Sequence, residues 1–124
     1  METLENNVFD CALVFEGGGY RVSYTSALAN VLLEQGIYFD YVCGLSAGAS
    51  TSINYLSRDR ERVRRSFMTD GPMREHVGLR SLVRGHGYFD ADALYEGALR
   101  DGTLEFDWET FQANPARLRI QAFE

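Results

Sequence analysis

The sequence predicts an α/β fold built on a parallel central sheet, and three observations support this prediction. Apolar runs that suit buried strands alternate, over residues 1–57, with segments of helical spacing. The first two of these runs each end in a glycine-rich turn. Strand–helix–strand–helix order implies parallel strands joined by crossover helices. We therefore expect a three-layer α/β/α arrangement around a parallel sheet.

The first four elements follow from local patterns. Residues 11–15 form a continuous apolar run that ends in glycines, which predicts a strand buried on both faces. Residues 23–35 have helical spacing, and Gly36 stands where a helix often ends. Residues 37–43 contain two β-favouring stretches, and residues 47–56 predict a second helix.

The remainder of the chain carries shorter signals. They predict helices over residues 58–68 and 92–100 and around Trp108 and Phe111, a short apolar piece over residues 79–83, and an alternating strand over residues 118–123. A parallel sheet of three strands is small, and the sequence stops inside the last one. We therefore expect residues 1–124 to be the N-terminal part of a single domain.

The charged residues exclude several kinds of chemistry. The net charge is −6, so the chain is a poor binder of nucleic acid phosphates. All twelve basic residues are arginines. The sequence therefore has no lysine for a P-loop, a Schiff base or a Ser-Lys dyad.

The two cysteines and the N-terminal residues indicate the cellular compartment of the protein. Cys11 and Cys43 lie in apolar runs, which predicts buried, reduced thiols. The first seven residues are polar and acidic, unlike a secretory signal. No apolar run approaches the roughly 20 residues that span a bilayer. We expect a cytoplasmic protein.

The strongest chemical signal is Gly44-Leu-Ser-Ala-Gly48, between a predicted strand and a predicted helix. On such a turn Ser46 would expose its Oγ, and glycines two residues before and after would let the backbones approach. The helix that follows would direct its free N–H groups and positive dipole end toward the reacting centre. The pattern alone also arises by chance in loops, so the strand and helix around it carry the interpretation.

The second signal is Glu16-Gly-Gly-Gly-Tyr-Arg21, which follows the first predicted strand. Consecutive glycines can turn their N–H groups toward a cavity, as in an oxyanion hole, although a tight turn without a ligand has the same pattern. A dinucleotide fingerprint needs glycine where Val22 stands, and a Walker loop needs lysine. Both glycine turns end parallel strands, so both should meet at one edge of the sheet.

Together these two motifs resemble those of the patatin-like phospholipases, a family of lipid acyl hydrolases. The resemblance extends from about Ala12 to the end and includes residues 39–42 before the serine turn and residues 115–119 of the last strand. It implies a patatin-like fold that acts on a lipid or acyl-ester substrate with a Ser-Asp dyad, and it implies no metal or organic cofactor.

The resemblance also implies roles for individual residues. Ser46 would be the nucleophile, the amides of Gly18 and Gly19 the oxyanion hole, and Arg21 a support for that loop. Gly17, Gly44 and Gly48 would complete the two motifs. We expect Gly18 and Gly19 to be intolerant of side chains.

The sequence departs from the family at two points. Val22 stands where the family often has glycine. The family's base is an Asp in Asp-Gly-Gly or Asp-Gly-Ala, on an element after the region seen here. Asp70 and Asp101 precede glycine but come before the last strand, so neither matches in order and neither is assigned as the base. We therefore expect the 124-residue chain alone to hydrolyse esters feebly at most.

Two other functions remain open. The chain could be a non-catalytic acyl-binding or regulatory module that lacks the base. It could also be an esterase with a Ser-His triad, in which His76 or His86 is the base. Ordinary α/β-hydrolases place the histidine last, after the acid, so we expect both histidines to be surface loop residues.

Two segments could contact a membrane surface. Five arginines lie between residues 58 and 65, but Asp59 and Glu61 interleave with them, which favours a solvated helix with local ion pairs over a lipid-binding patch. Residues 79–83, with Arg80 and Arg84, could be an interfacial piece or ordinary core and rim. The oligomeric state does not follow from the sequence.

Overall fold

The computed structural model describes residues 4–66, 76, 78–87, 90 and 105–122. In chain order its elements are β1 (Leu13–Phe15), a 3-10 turn (Gly19–Arg21), α1 (Val22–Glu34), β2 (Tyr41–Leu45), α2 (Ala47–Leu56), α3 (Arg60–Ser66), α4 (Leu79–Val83), α5 (Trp108–Ala113) and β3 (Arg117–Gln121). None of the described helices is both long and apolar enough to cross a membrane.

The three strands form one parallel sheet in the order β1-β2-β3. Leu13 pairs with Val42, which pairs with Leu118, and the register continues to Phe15 beside Gly44. The turns that follow β1 and β2 therefore leave the sheet side by side at its carboxyl edge. The predicted α/β fold with a parallel central sheet is confirmed.

One face of this sheet forms the core. Phe15 and Val42 are almost completely buried, and Leu13 and Leu118 are packed against them. The helices contribute the rest of the core: Ala29 and Leu33 from α1, Tyr55 and Leu56 from α2, Val63 from α3 and Phe111 from α5. The Phe15 and Tyr55 rings meet edge to face with centroids 5.9 Å apart, which joins α2 directly to β1.

The opposite face of the sheet is more open, which corrects two predictions. The register places Val14 beside Cys43 on this face, and Val14 is 56% exposed, so β1 is not buried on both faces. Cys43 is half-buried and Cys11, just before β1, is exposed; both thiols are unpaired. The prediction of buried thiols is thus wrong for Cys11. Val14 is open because the core helices pack on the face that carries Phe15, and Cys11 is exposed because it lies in a bend before β1.

Most predicted elements occur close to their expected bounds. Helix α1 begins one residue early and ends at Glu34. The φ of 67° at Gly36, just beyond the helix, allows the amide of Ile37 to bond the carbonyl of Leu32. The strand predicted over residues 37–43 is shifted along the chain, since β2 is Tyr41–Leu45. Before β2, Phe39 makes an isolated β-bridge with Val8. The helix predicted over residues 92–100 lies outside the described residues.

Helix α3 carries the ion pairs that the sequence predicts. Arg60 lies 3.4 Å from Glu34 of α1, and Arg64 lies 3.5 Å from Glu61 within the same helix. All four side chains are more than half exposed. Exposed ion pairs of this kind each contribute about 0–1 kcal/mol to the free energy of unfolding, so they do not determine the fold.

Two arginines of residues 58–65 are half-buried, which departs from the predicted solvated helix. Arg58 stacks on the Tyr38 ring at 3.7 Å, and its guanidinium donates to the Glu5 carbonyl. Arg62 donates to Asn54 Oδ1 at 2.6 Å and lies over the Phe106 ring. Burial lowers the pKa of Arg62 because it disfavours the charged form. These side chains tie the N-terminal segment and the start of α5 to the helical layer.

Candidate active site

Ser46 stands alone between the last residue of β2 and the first residue of α2. Its φ of 51° and ψ of −123° are a strained combination for any residue with a side chain. Ser46 is exposed, and its side chain makes no capping hydrogen bond to α2. This sharp strand-to-helix turn, with an uncommitted hydroxyl at its tip, is the context that the sequence motif requires.

Steric contacts explain the glycines on both sides of the turn. A β-carbon on Gly44 would lie 2.7 Å from the Cα of Ala49. One on Gly48 would overlap the carbonyl oxygen of Phe15, at the end of β1. The hydroxyl of Ser52 donates to the Gly48 carbonyl at 2.9 Å and braces the first turn of α2. Both motif glycines therefore stand where only a hydrogen atom fits.

The glycine-rich loop after β1 lies directly against the serine turn. A β-carbon on Gly17 would lie 2.9 Å from Ser46 Cβ and 3.6 Å from Ser46 Oγ. Gly18 and Gly19 follow with φ of 137° and 58°, conformations that favour glycine. The amide of Arg21 then donates to the Gly18 carbonyl and closes a 3-10 turn that leads into α1. The two sequence motifs thus form one site.

The amides of Gly18 and Gly19 are available to an anion. Both residues are exposed, and no acceptor in the described part of the chain takes either N–H. Unpaired backbone donors on consecutive glycines can receive the negative charge that develops on a carbonyl oxygen. The arrangement can therefore do the chemistry that the sequence predicts for it.

Arg21 lies against the loop, as the resemblance implies. A β-carbon on Gly18 would lie 3.1 Å from Arg21 Nε and 3.2 Å from one of its terminal nitrogens. The guanidinium thus covers Gly18, and it places a positive charge beside the loop. A side chain at Gly18 would have to displace this guanidinium slightly, in addition to adopting an unfavourable φ.

The amide of Ser46 donates to the carbonyl of Gln121 at 3.3 Å. This bond extends the β2–β3 ladder to the serine and holds the turn from the side opposite the glycine loop. Sequence reasoning missed both this bond and the contact between Gly17 and Ser46, because each depends on strand pairing. The sequence signal for the contact between Gly17 and Ser46 is that both glycine turns follow strands of one parallel sheet.

The base is not among the contacts of Ser46. No described side chain hydrogen-bonds to its Oγ. The Nδ1 atoms of His76 and His86 lie 3.9 Å and 3.7 Å from Asp90 Oδ2, so both histidines face this carboxylate. His86 is exposed and His76 half-buried. Asp70 and Asp101 lie outside the described residues.

Within residues 4–66, 76, 78–87, 90 and 105–122, no three His, Cys, Asp or Glu side chains form a group that could hold a metal ion.

Comparison with known families agrees with this geometry. The family model described as Patatin-like phospholipase matches residues 13–121, from β1 to the end of β3. The chain belongs to the patatin-like phospholipase family. No curated protein and no solved structure matches it significantly. The patatin-like phospholipases are a family of lipid acyl hydrolases, and the matched span includes both glycine-rich turns.

Proposed function

We propose that this chain carries the nucleophile and the oxyanion hole of a serine hydrolase that cleaves fatty-acyl esters of lipids or phospholipids. The observation that carries the proposal is the contact between two loops. The strained, exposed Ser46 lies against Gly17, the first residue of a loop with free amides. Family membership supports the substrate class.

In the proposed reaction, Ser46 Oγ attacks the ester carbonyl carbon, and its proton passes to the Asp of the family's Ser-Asp dyad. The carbonyl oxygen becomes an oxyanion, which the amides of Gly18 and Gly19 receive. Collapse of this intermediate breaks the ester bond, and the protonated Asp gives its proton to the leaving alcohol. Water then attacks the acyl-serine and releases the fatty acid. The dyad's Asp is not assigned to any of the 124 residues.

The protein environment favours attack by the serine in two further ways. Ser46 precedes a ten-residue helix, whose N-terminal N–H groups and dipole stabilise negative charge near the hydroxyl. Its amide is hydrogen-bonded to the Gln121 carbonyl of β3, and Gly44 and Gly48 on either side of it are closely packed. A hydroxyl held in place needs less reorganisation to reach the carbonyl carbon.

A second candidate is a non-catalytic acyl-binding module. The sequence contains no Asp-Gly-Gly or Asp-Gly-Ala after Ser46, and a serine hydroxyl without a base is a weak nucleophile. Such a module would bind acyl chains beside Ser46 without turnover. The two candidates differ in whether Ser46 forms a covalent adduct.

A fluorophosphonate probe tests the proposal because it traps an activated serine. The protein made from the complete reading frame should label, Ser46→Ala should not, and Ser50→Ala, half-buried on the same helix α2, should label like the parent. Labelling that survives Ser46→Ala would place the nucleophile elsewhere. A parent that binds fatty acid but never labels would support the acyl-binding module.

A further inference from the structure

Helix α4 has the reverse of the usual amphipathic pattern. Its large apolar residues are exposed: Leu79 by 74%, Leu82 by 52% and Val83 by 86%. Its buried residue is Ser81, which is 2% exposed and whose hydroxyl has no hydrogen-bond partner. The spacing of Leu79, Leu82 and Val83 puts them on one face of the helix. The short apolar piece that the sequence predicts is therefore surface and not core.

Positive charge accompanies this apolar face. Arg80 and Arg84 are both exposed, and neither forms an ion pair with another described residue. Residues 78–87 contain these two arginines but no Asp or Glu, although the whole chain has a net charge of −6 and Asp90 lies 3.7 Å from His86. The segment is thus a local basic site on an acidic chain.

The charge pattern decides what kind of surface the helix fits. An acidic chain is repelled overall by an anionic surface, so binding to one requires a local patch of opposite charge. Apolar side chains beside arginines are the composition of interfacial helices, whose apolar atoms enter the boundary between headgroups and acyl chains. Arginines near an anionic leaflet each add about fivefold to binding.

We propose that α4 is a membrane-docking element that lies on an anionic lipid surface. Leu79, Leu82 and Val83 enter the boundary region, and Arg80 and Arg84 bind the anionic headgroups. The proposal deepens the proposed function and rests on it in one respect, since a lipid ester substrate lies in such a surface. Docking by α4 would bring the protein to the surface that holds its substrate, so that hydrolysis would not depend on dissolved monomers of a sparingly soluble ester.

The test is flotation of the purified protein with vesicles of phosphatidylcholine alone and of equal parts phosphatidylcholine and phosphatidylglycerol. The protein should float with the anionic vesicles, and binding should fall at about 1 M salt, where the Debye length is about 3 Å. Arg80→Gln with Arg84→Gln should weaken binding roughly 25-fold. Leu82→Ser with Val83→Ser should weaken it about tenfold or more, through loss of buried apolar area.

Two matched controls separate α4 from other surfaces. Arg64→Gln with Arg65→Gln removes the same charge from α3, the other basic segment. Leu28→Ser with Val31→Ser removes apolar side chains of similar exposure from α1. Both controls should bind anionic vesicles within about twofold of the parent, because neither lies in the segment that carries the local attraction. Thermal unfolding by circular dichroism should be the same for all variants.

Three results would overturn the docking proposal: a parent that does not float with anionic vesicles, controls that lose as much binding as the α4 variants, or self-association that Leu82→Ser with Val83→Ser abolishes without changing flotation. Fluorophosphonate labelling without vesicles reports the proposed function separately. The α4 variants should label like the parent. Flotation that follows the predicted pattern while Ser46 fails to label would support docking and contradict the hydrolase.

Discussion

Gly17 approaches Ser46 so closely that a β-carbon on Gly17 would lie 2.9 Å from Ser46 Cβ. That separation is shorter than real carbon contacts, so any side chain at position 17 must displace either the loop after β1 or the serine turn. The loop carries the proposed oxyanion amides and the turn carries the proposed nucleophile. Their relative position is therefore set by the absence of a single methyl group.

Gly17→Ala should reduce ester hydrolysis more than it reduces stability. A displacement of about 1 Å between reacting groups can lower the rate about 10²-fold, and we expect a fall of that order in kcat/KM. The measurement is p-nitrophenyl ester hydrolysis by the protein from the complete reading frame, with thermal unfolding as the folding control. Parent-like kcat/KM in a folded Gly17→Ala variant would contradict the proposed contact between the two loops.

The effect of a substitution at Gly19 should depend on the backbone conformation of that residue and not on steric contact with neighbouring atoms. A β-carbon there meets no atom within 4 Å, but the φ of 58° is unfavourable for most side chains. Asn adopts this conformation more readily than Ala. Gly19→Asn should therefore label with fluorophosphonate faster than Gly19→Ala, and both should label more slowly than the parent. The opposite order would indicate that contacts, and not the positive φ, require glycine at this position.

Gly48→Ala should destabilise the protein even though it improves helix propensity. Propensity alone favours Ala over Gly by about 1 kcal/mol, whereas overpacking costs about 1–3 kcal/mol. The added carbon would meet the Phe15 carbonyl, which cannot move without disturbing β1. Urea unfolding of Gly48→Ala and of Ser50→Ala, from the same helix, measures the difference. A more stable Gly48→Ala variant would show that α2 can move away from β1.

The serine turn could be predicted from sequence because its requirements are local. A β-carbon on Gly44 would meet Ala49 at the start of α2, and the five-residue pattern records this local requirement. Gly48 is different, because a β-carbon there would meet the Phe15 carbonyl of β1. The contact between Gly17 and Ser46 needs β1 and β2 to pair in one register, and no local pattern reports which atoms then meet. The separate motifs were predictable, and their interatomic geometry was not.

Burial was the least predictable property. Val14 and Leu82 belong to apolar runs that suit core positions, yet both are more than half exposed. Conversely, Arg58 and Arg62 belong to a charged run, yet they are partly buried against Tyr38 and Phe106. Periodicity predicts which residues share a face of an element. Whether another element covers that face depends on tertiary packing, which periodicity does not contain.

Tyr55→Phe should destabilise the core although it removes only one oxygen. The buried hydroxyl donates to the Ile37 carbonyl at 2.7 Å and accepts from the Phe39 amide at 3.0 Å. Burial raises the pKa of Tyr55, with the Phe39 hydrogen bond acting in the opposite direction. Loss of the hydroxyl leaves both backbone groups unpaired, at a cost of about 1–3 kcal/mol.

Tyr24→Phe, at an 82% exposed position, should leave urea unfolding unchanged. Equal stability of the two variants would contradict this assignment.

Asp107 should contribute a pH-dependent part of the stability through the start of α5. One carboxylate oxygen accepts from the Thr110 amide at 2.9 Å and the other from the Thr110 hydroxyl at 2.6 Å. These bonds lower the pKa of Asp107 below its ordinary value, and the bond from the Thr110 hydroxyl has the larger effect. A carboxylate whose pKa is lower in the folded state stabilises that state above the unfolded pKa, about 3.9. The stabilisation is lost as pH falls through the folded pKa.

Asp107→Ala should therefore lower the free energy of unfolding by about 1 kcal/mol near neutral pH, as loss of an N-cap usually does. The difference from the parent should shrink as the pH falls below about 3.9, because the parent's carboxylate becomes protonated as the pH passes through its lowered folded-state pKa. Asp107→Asn keeps an acceptor for the Thr110 amide and should lose less at neutral pH. The single tryptophan of the sequence, Trp108, begins α5, so urea unfolding followed by its fluorescence reports on this helix directly. If Asp107→Ala lowers the free energy of unfolding equally at neutral and at acidic pH, the cap stabilises α5 through hydrogen bonding and not through its charge.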